Sequence, residues 1–253
     1  MSNTYRKTYA EINLSNLYSN YKNVEKILKN KKVIPVVKAN AYGHGVIDVV
    51  RYLKSKDVDY FAVSLLEEAL EIRQQFYDTE ILVMGIVEKE GLLIASENNI
   101  TVTISNSDQL QNMPKLAKML KIHLKVDSGM NRLGFKEKSE LLDCFHKMKE
   151  NDNIYIEGIY THFATADSVD KLYYDIQMKN FKEMYKLLDY DFSMVHISNS
   201  SSSIKYESEI NFTTHVRLGI SLYGLTLDSG IDFLKNTYKL KTKISQFKKL
   251  YPG

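Results

Sequence analysis

Short apolar runs alternate with longer amphipathic stretches along this chain. The runs at 33–38, 60–64, 81–85, 100–104, 121–126, 154–161, 194–198 and 215–222 have the length and bounded character of buried strands. Between them apolar side chains recur at helical spacing. Leu14, Leu17, Tyr21, Val24 and Leu28 form one such stripe. Leu65, Ala69, Ile72 and Phe76 form a second, and Tyr174, Met178, Phe181, Tyr185 and Leu188 a third. A helix comes first, then strands and helices in alternation, which predicts parallel strands with helical crossovers. Eight such strand–helix units in 253 residues predict an α/β fold, a (β/α)8 TIM barrel, with a doubly wound open sheet as the alternative.

Residues 238–250, YKLKTKISQFKKL, break that order. They alternate polar and apolar for much of their length, as a half-buried antiparallel strand does, and run into the turn signal Tyr251-Pro252-Gly253. A lone strand leaves an open edge. The expected organisation is therefore a barrel over 1–236, with 237–253 as the start of a further, β-rich C-terminal domain; an arm folding back on the barrel is the alternative.

Composition narrows the function classes. The chain is 44% hydrophobic and 26% charged, an ordinary globular balance with ample material for a core. Its net charge of +3 is small and both signs are interspersed, so no face is marked for nucleic acid. The basic group Lys239, Lys241, Lys243, Lys248 and Lys249 reads as a solvated strand face. The one cysteine, Cys144, lies in an apolar helical stretch and reads as core. No apolar run reaches membrane-spanning length, and MSNTYRKTY is too polar for a signal peptide. A cytoplasmic location is the simplest expectation. No metal site is expected.

Chemistry is expected at the C-terminal ends of barrel strands. Lys38 closes the apolar run Val33–Val37 and opens a polar, glycine-containing loop. A lysine buried there must find a counter-charge or lose its proton, and a neutral amine can attack a carbonyl to form a Schiff base. The other strand ends offer Lys125 and Arg132, then His162, then Asn199 and Ser200, and Arg217. The loops after the last two strands commonly build a phosphate site in this fold. Here they hold Ser200, which can donate a hydroxyl, and Gly219, whose missing Cβ admits an anion to the backbone. Tyr42, four residues after Lys38, adds a hydroxyl.

VVKANAYGHG (36–45) resembles the pyridoxal-phosphate lysine segment of the alanine racemase family. LKVDSGMNRLGF (124–135) is similar to its first arginine segment and GIYTHFATAD (158–167) to its histidine segment. HISNSSSS (196–203) resembles its phosphate loop, and VRLGISLYG (216–224) its second arginine segment. The order and the Lys125-to-Arg132 spacing also agree. The resemblance implies a barrel that binds pyridoxal 5'-phosphate and serves an amino-acid racemase interconverting L- and D-alanine for the cell wall.

Residue by residue, the resemblance implies that Lys38 forms the Schiff base and is one of two bases. Tyr42, Ser200, Gly219 and Ile220 would hold the phosphate. Arg132 would meet the phenolic oxygen and the substrate carboxylate. Arg217 would face the pyridine nitrogen, with His162 beside it and Asn199 in the same shell. Lys125 stands where many members carry a carbamylated lysine. Asn131, Ser201 and Leu218 depart from the usual residues without removing a reacting group. The second base is a tyrosine of the family's C-terminal domain, so this chain alone is expected to racemise poorly. A homodimer, a small amino-acid substrate, and no nucleic-acid or membrane partner are implied for the full-length protein. A racemase of serine or another small amino acid, a single-domain cofactor carrier without racemase activity, and a non-catalytic assembly barrel are the alternatives.

Overall fold

The computed structural model describes residues 7–111, 113–164, 171–226 and 231–251, with the side chains of 201–203 left aside. Eight parallel strands fall at the predicted runs, the last run ending as a strand at Leu218 and passing into a 3-10 helix at Ile220–Tyr223. They are β2 (Lys32–Pro35), β3 (Tyr60–Val63), β4 (Glu80–Val83), β5 (Thr101–Ile104), β6 (Leu120–Lys125), β7 (Ile154–Tyr160), β8 (Met194–His196) and β9 (His215–Leu218). The strands β3 to β8 pair in chain order, and β2 pairs with β9. Two joints close the ring. Val36 bridges Ala62, with Val37 N–H donating to Ala62 O at 2.8 Å. On the other side Arg217 N–H donates to Ser198 O at 3.2 Å and Thr214 N–H to Val195 O at 3.0 Å. An open doubly wound sheet is excluded by that closure.

The helices wrap the ring by the stripes read from the sequence, except that Leu65 precedes its helix and is 56% exposed. On Leu14–Ile27 the side chains of Leu17 and Val24 are fully buried, each contributing about 1.5–3 kcal/mol. Its start is fixed by Asn13, whose Oδ1 accepts the Asn16 N–H at 2.9 Å. Ala69 and Ile72 anchor helix Leu66–Gln75, and Tyr174, Met178 and Phe181 anchor Leu172–Leu187. Cys144 is buried on helix Lys138–Lys149, and burial pushes its thiol up to about 11.

Inside the ring there are two kinds of filling. Ile34, Val36, Ala62, Leu82 and Met194 pack as an apolar plug. The remaining interior is polar: His123, His196, Thr103 and Arg217 are buried together with Tyr160.

A ninth pairing was not read from the sequence. Strand β1 (Tyr9–Ile12) runs antiparallel to β10 (Tyr238–Lys241), with Tyr9 opposite Lys241. The tail strand is thus real but shorter than expected, and it is exposed along its whole length rather than half-buried. Leu240 is 66% exposed, while Tyr238 meets the His44 ring at 5.9 Å. The lysines at 239, 241, 243, 248 and 249 are exposed, as read from the sequence. No helix among the described residues is long and apolar enough to cross a membrane.

Candidate active site

At the C-terminal mouth of the ring lies a cavity of about 540 Å³. Lys38, Tyr42, Lys125, Arg132, His162, Asn199, Ser200, Arg217, Gly219 and Ile220 all line it, so every residue singled out from the sequence converges on one space. A larger, more open cavity of about 990 Å³ sits at the opposite mouth among lysines and carboxylates. The smaller one holds the convergent chemistry.

Lys38 leads into a turn of unusual hand. Ala39, Asn40, Ala41 and Tyr42 have φ of 51, 53, 54 and 52°. Left-handed backbone costs about 1–2 kcal/mol per L-residue, so this turn must be held. Ala41 N–H donates to Val37 O at 2.9 Å, and Asn40 Oδ1 accepts from Val46 N at 2.7 Å. The Glu68 carboxylate spans the outside, accepting from Ala39 N at 2.6 Å, Ser64 N at 2.9 Å and Leu65 N at 3.1 Å. The turn brings Tyr42 back over the mouth of β9. Lys38 itself is half-buried rather than enclosed, because it stands at the rim of the cavity.

Tyr42, Ser200 and Gly219 form a cradle. A Cβ on Gly219 would lie 3.2 Å from Tyr42 Oη and 3.8 Å from Ser200 Oγ, so only a hydrogen leaves the space between them open. Ser200 Oγ accepts the N–H of Gly219 at 3.0 Å and of Ser221 at 3.4 Å. Two hydroxyls beside a bare stretch of backbone suit a phosphate.

Arg217 is buried under the cavity floor. Its Nη1 donates to His196 Nδ1 and to His196 O, both at 2.7 Å, and its Nη2 donates to Thr161 O at 2.7 Å. Nη2 also stands 3.4 Å from His162 Nδ1. Its guanidinium carbon is 5.1 Å from the centre of the Tyr160 ring, which stacks on His196 at 4.7 Å. Burial lowers Arg217 to about 10, so it keeps its charge at neutral pH. His162 is pushed down to about 3 by burial first and then by Arg217, Arg132, Lys125 and Lys38. It is therefore a neutral imidazole.

Lys125 lies 5.5 Å from the Tyr160 ring centre, and burial with the charges of Arg217 and Arg132 lowers it to about 8. Arg132 is exposed on the loop between Lys125 and Phe135. That loop is closed by Phe135 N–H to Lys125 O at 2.8 Å and by Asp127 N–H to Phe135 O at 2.9 Å. Gly134, at φ +125°, passes where a Cβ would sit 2.5 Å from Asp127 N. Asn180 pins the loop to the neighbouring helix through Ser128 O at 2.9 Å.

The model of the family "Alanine racemase, N-terminal domain" matches residues 12–227. The chain belongs to the alanine racemase family. An alanine racemase of Listeria monocytogenes serotype 4a (strain HCC23) is 38% identical over 256 residues, covering 98% of this chain and 69% of that protein. The alanine racemase of Clostridium difficile 630 in complex with cycloserine superposes with a TM-score of 0.90 at 34% identity, over 97% of this chain and 70% of that one. Histidine racemase from Leuconostoc mesenteroides subsp. sake NBRC 102480 superposes with a TM-score of 0.89 at 28% identity, over 96% and 67%. Alanine racemase family members are isomerases, and the (β/α)8 barrel of this chain is theirs.

Within this alanine racemase barrel the motif residues stand together at one mouth. Residues 165–167 of the histidine segment lie outside the described residues, as does the side chain of Ser201. The sequence reading gave no role to Tyr160 or His196, which support Arg217 from below. Tyr160 ends β7 and lies one residue inside the predicted run 154–161, so the rule that chemistry gathers at strand ends could have found it.

Proposed function

We propose that this chain holds pyridoxal 5'-phosphate and serves a racemase whose substrate is alanine. The observation that carries the reading is the convergence of Lys38, the Tyr42–Ser200–Gly219 cradle and the buried Arg217 on one cavity of about 540 Å³. The residues fit the cofactor by their chemistry: hydroxyl donors around an open backbone for a phosphate, an amine for an aldehyde, and a fixed cation beside a neutral imidazole. Tyr42, Ser200, Gly219 and Ile220 would hold the phosphate, Lys38 would join the aldehyde carbon, and Arg217 with His162 and Asn199 would lie along the ring. When bound, pyridoxal phosphate supplies an electron sink that makes a substrate α-proton removable.

The chain's own groups then have defined parts. Lys38 Nζ carries the proton on its face of the substrate. Arg217 cannot release a proton at neutral pH, so it presents only donors and positive charge to whatever lies against it. Such a cation disfavours protonation of a basic ring nitrogen beside it, which weakens the sink and favours proton exchange over amino-group loss. Arg132 offers a planar pair of donors to a carboxylate at the cavity rim. Lys125 stands beside Tyr160 and feels the charges of both arginines, where carbamylation of its amine would turn a repelling charge into an attracting one.

Met84, Met130, Phe163 and Ala164 give the rest of the cavity an apolar lining that suits a small side chain such as a methyl group. The histidine racemase among the structural neighbours makes substrate choice the point to measure. Exchange of the α-proton for deuterium, followed by NMR with pyridoxal phosphate present, tests it. L-Alanine should exchange faster than L-serine and L-histidine. Faster exchange of serine or histidine would reassign the substrate, and no exchange with any of them, despite a cofactor-loaded Lys38, would make the chain a carrier. The partner would be a second copy of the racemase, and the cell compartment the cytoplasm.

A further inference from the structure

A continuous line of polar side chains leaves Arg217 and runs down the inside of the ring. Arginine only donates, so His196 Nδ1, 2.7 Å from Arg217 Nη1, must be the bare nitrogen. The proton of a neutral His196 is then on Nε2, which faces His123 Nδ1 at 2.8 Å. His123 Nδ1 must accept, so its own proton is on Nε2, 2.9 Å from Glu157 Oε2. Tyr60 Oη donates to the same carboxylate at 3.1 Å. Each bond fixes the next, and the whole line has one polarity, from guanidinium to carboxylate.

The backbone is built around this line. Between Ile122 and His123 the β6–β7 register slips, so that Ile122 faces Ile156 while His123 faces Gly158. Glu157 is the extra residue of that bulge, and bulges re-aim side chains. Gly158 makes the space: a Cβ there would sit 2.8 Å from His123 Cε1 and 2.8 Å from Met194 O. His123 is wholly buried and the Glu157 side chain is 12% exposed. A buried carboxylate–histidine pair with these distances is costly unless every donor and acceptor matches, as they do here.

We propose that Glu157 is a positioning residue for Arg217, acting through His123 and His196 by holding both imidazoles in the Nε2–H tautomer. The inference rests on the cofactor-binding reading of the cavity only for its consequence. The tautomers themselves are a property of the chain alone. If His196 carried its proton on Nδ1, two donors would face each other at 2.7 Å and the Arg217 guanidinium would have to leave its place under the cavity floor.

The test is 15N NMR of histidine-labelled protein without cofactor, beside titration with pyridoxal phosphate. In the unmodified chain His123 and His196 should both show a protonated Nε2 and a bare Nδ1. The double variant Tyr60→Phe with Glu157→Leu removes both oxygens near His123 Nε2. It should lose the single tautomer at both rings and weaken pyridoxal phosphate binding about tenfold, the scale on which outer partners of a ligating group act. Glu157→Gln, which keeps an acceptor oxygen, should restore both signals. If the double variant does not fold, Glu157→Leu alone is read by the same resonances, with a smaller change in the same direction expected. A protonated His196 Nδ1 in the unmodified chain overturns the proposal. So do unchanged tautomers and unchanged affinity in the folded variant, whatever its melting temperature. Failure of cofactor binding at Lys38 would be seen separately, because the tautomers are read before any cofactor is added.

Discussion

Oε1 of Glu68 accepts the backbone N–H of Ala39 at 2.6 Å, one residue beyond Lys38. This bond ties the left-handed turn that carries Lys38 to the start of helix Leu66–Gln75, where the other oxygen of the same carboxylate caps Ser64 and Leu65. Four residues in left-handed backbone store strain that local contacts must offset. Glu68→Ala should therefore cost about 1–3 kcal/mol of stability. It should also weaken pyridoxal phosphate binding, since Lys38 and Tyr42 lie at the two ends of the released turn. Urea unfolding and a cofactor titration on the same variant check both. Weaker stability with unchanged affinity would show that the turn does not depend on Glu68.

The cradle makes a narrower claim. Tyr42→Phe removes one hydroxyl from beside Gly219 and leaves the ring packed against Tyr223, 4.8 Å away. A hydrogen bond to a charged group contributes about 1.5–3 kcal/mol, so affinity for pyridoxal phosphate should fall at least about tenfold. Pyridoxal without its phosphate should bind the variant and the parent alike. Equal losses for both ligands would place the effect elsewhere.

Acid should unfold this protein early. The four histidines His123, His162, His196 and His215 are all held below their ordinary value by burial, His162 to about 3 and His215 to about 4. The unfolded chain takes up protons near pH ~6.5 that the folded chain refuses, so stability rises with pH in that window. Their contribution is complete above pH ~6.5 and is lost as pH falls towards 4 and below. Melting temperature followed from pH 7 to pH 4 should drop steeply, and the His162 ring signals should not titrate above pH 5. A flat profile over that range would contradict the burial of these rings.

Lys125 gives the opposite sign of mutant effect. Its lowered value means that a charged ammonium is held among Arg217 and Arg132 at a cost below about pH 8, and that the cost fades as pH rises. Lys125→Met should stabilise the cofactor-free chain by about 1–2 kcal/mol at pH 7 and by less at pH 10. Chemical denaturation at the two pH values reads the difference. Destabilisation at pH 7 would mean that the ammonium already has a compensating partner.

Much of this site was legible because strand ends and loop residues are adjacent in sequence to the patterns that reveal the strands. Lys38, His162 and Ser200 end or closely follow an apolar run, Arg132 lies in the loop after one and Arg217 within the last, and the barrel gathers them at one mouth. What was not legible depends on register. His123 lies inside the strand LKIHLK and Glu157 inside IYIEGIY, and only the slip opposite Gly158 turns them towards each other. Nothing in either segment taken alone marks that meeting. The pairing of β1 with β10 was hidden for a different reason: Tyr9–Ile12 is short and mostly exposed, so it has no buried face to impose alternation, and its partner lies across the length of the chain.

The most direct test of the account is to map the attachment point of the cofactor. Protein incubated with pyridoxal phosphate, reduced with borohydride and digested should yield one pyridoxyl-labelled peptide, modified at Lys38, and Lys38→Ala should yield none. A label on another lysine, Lys125 included, or a label that survives in Lys38→Ala, would contradict it.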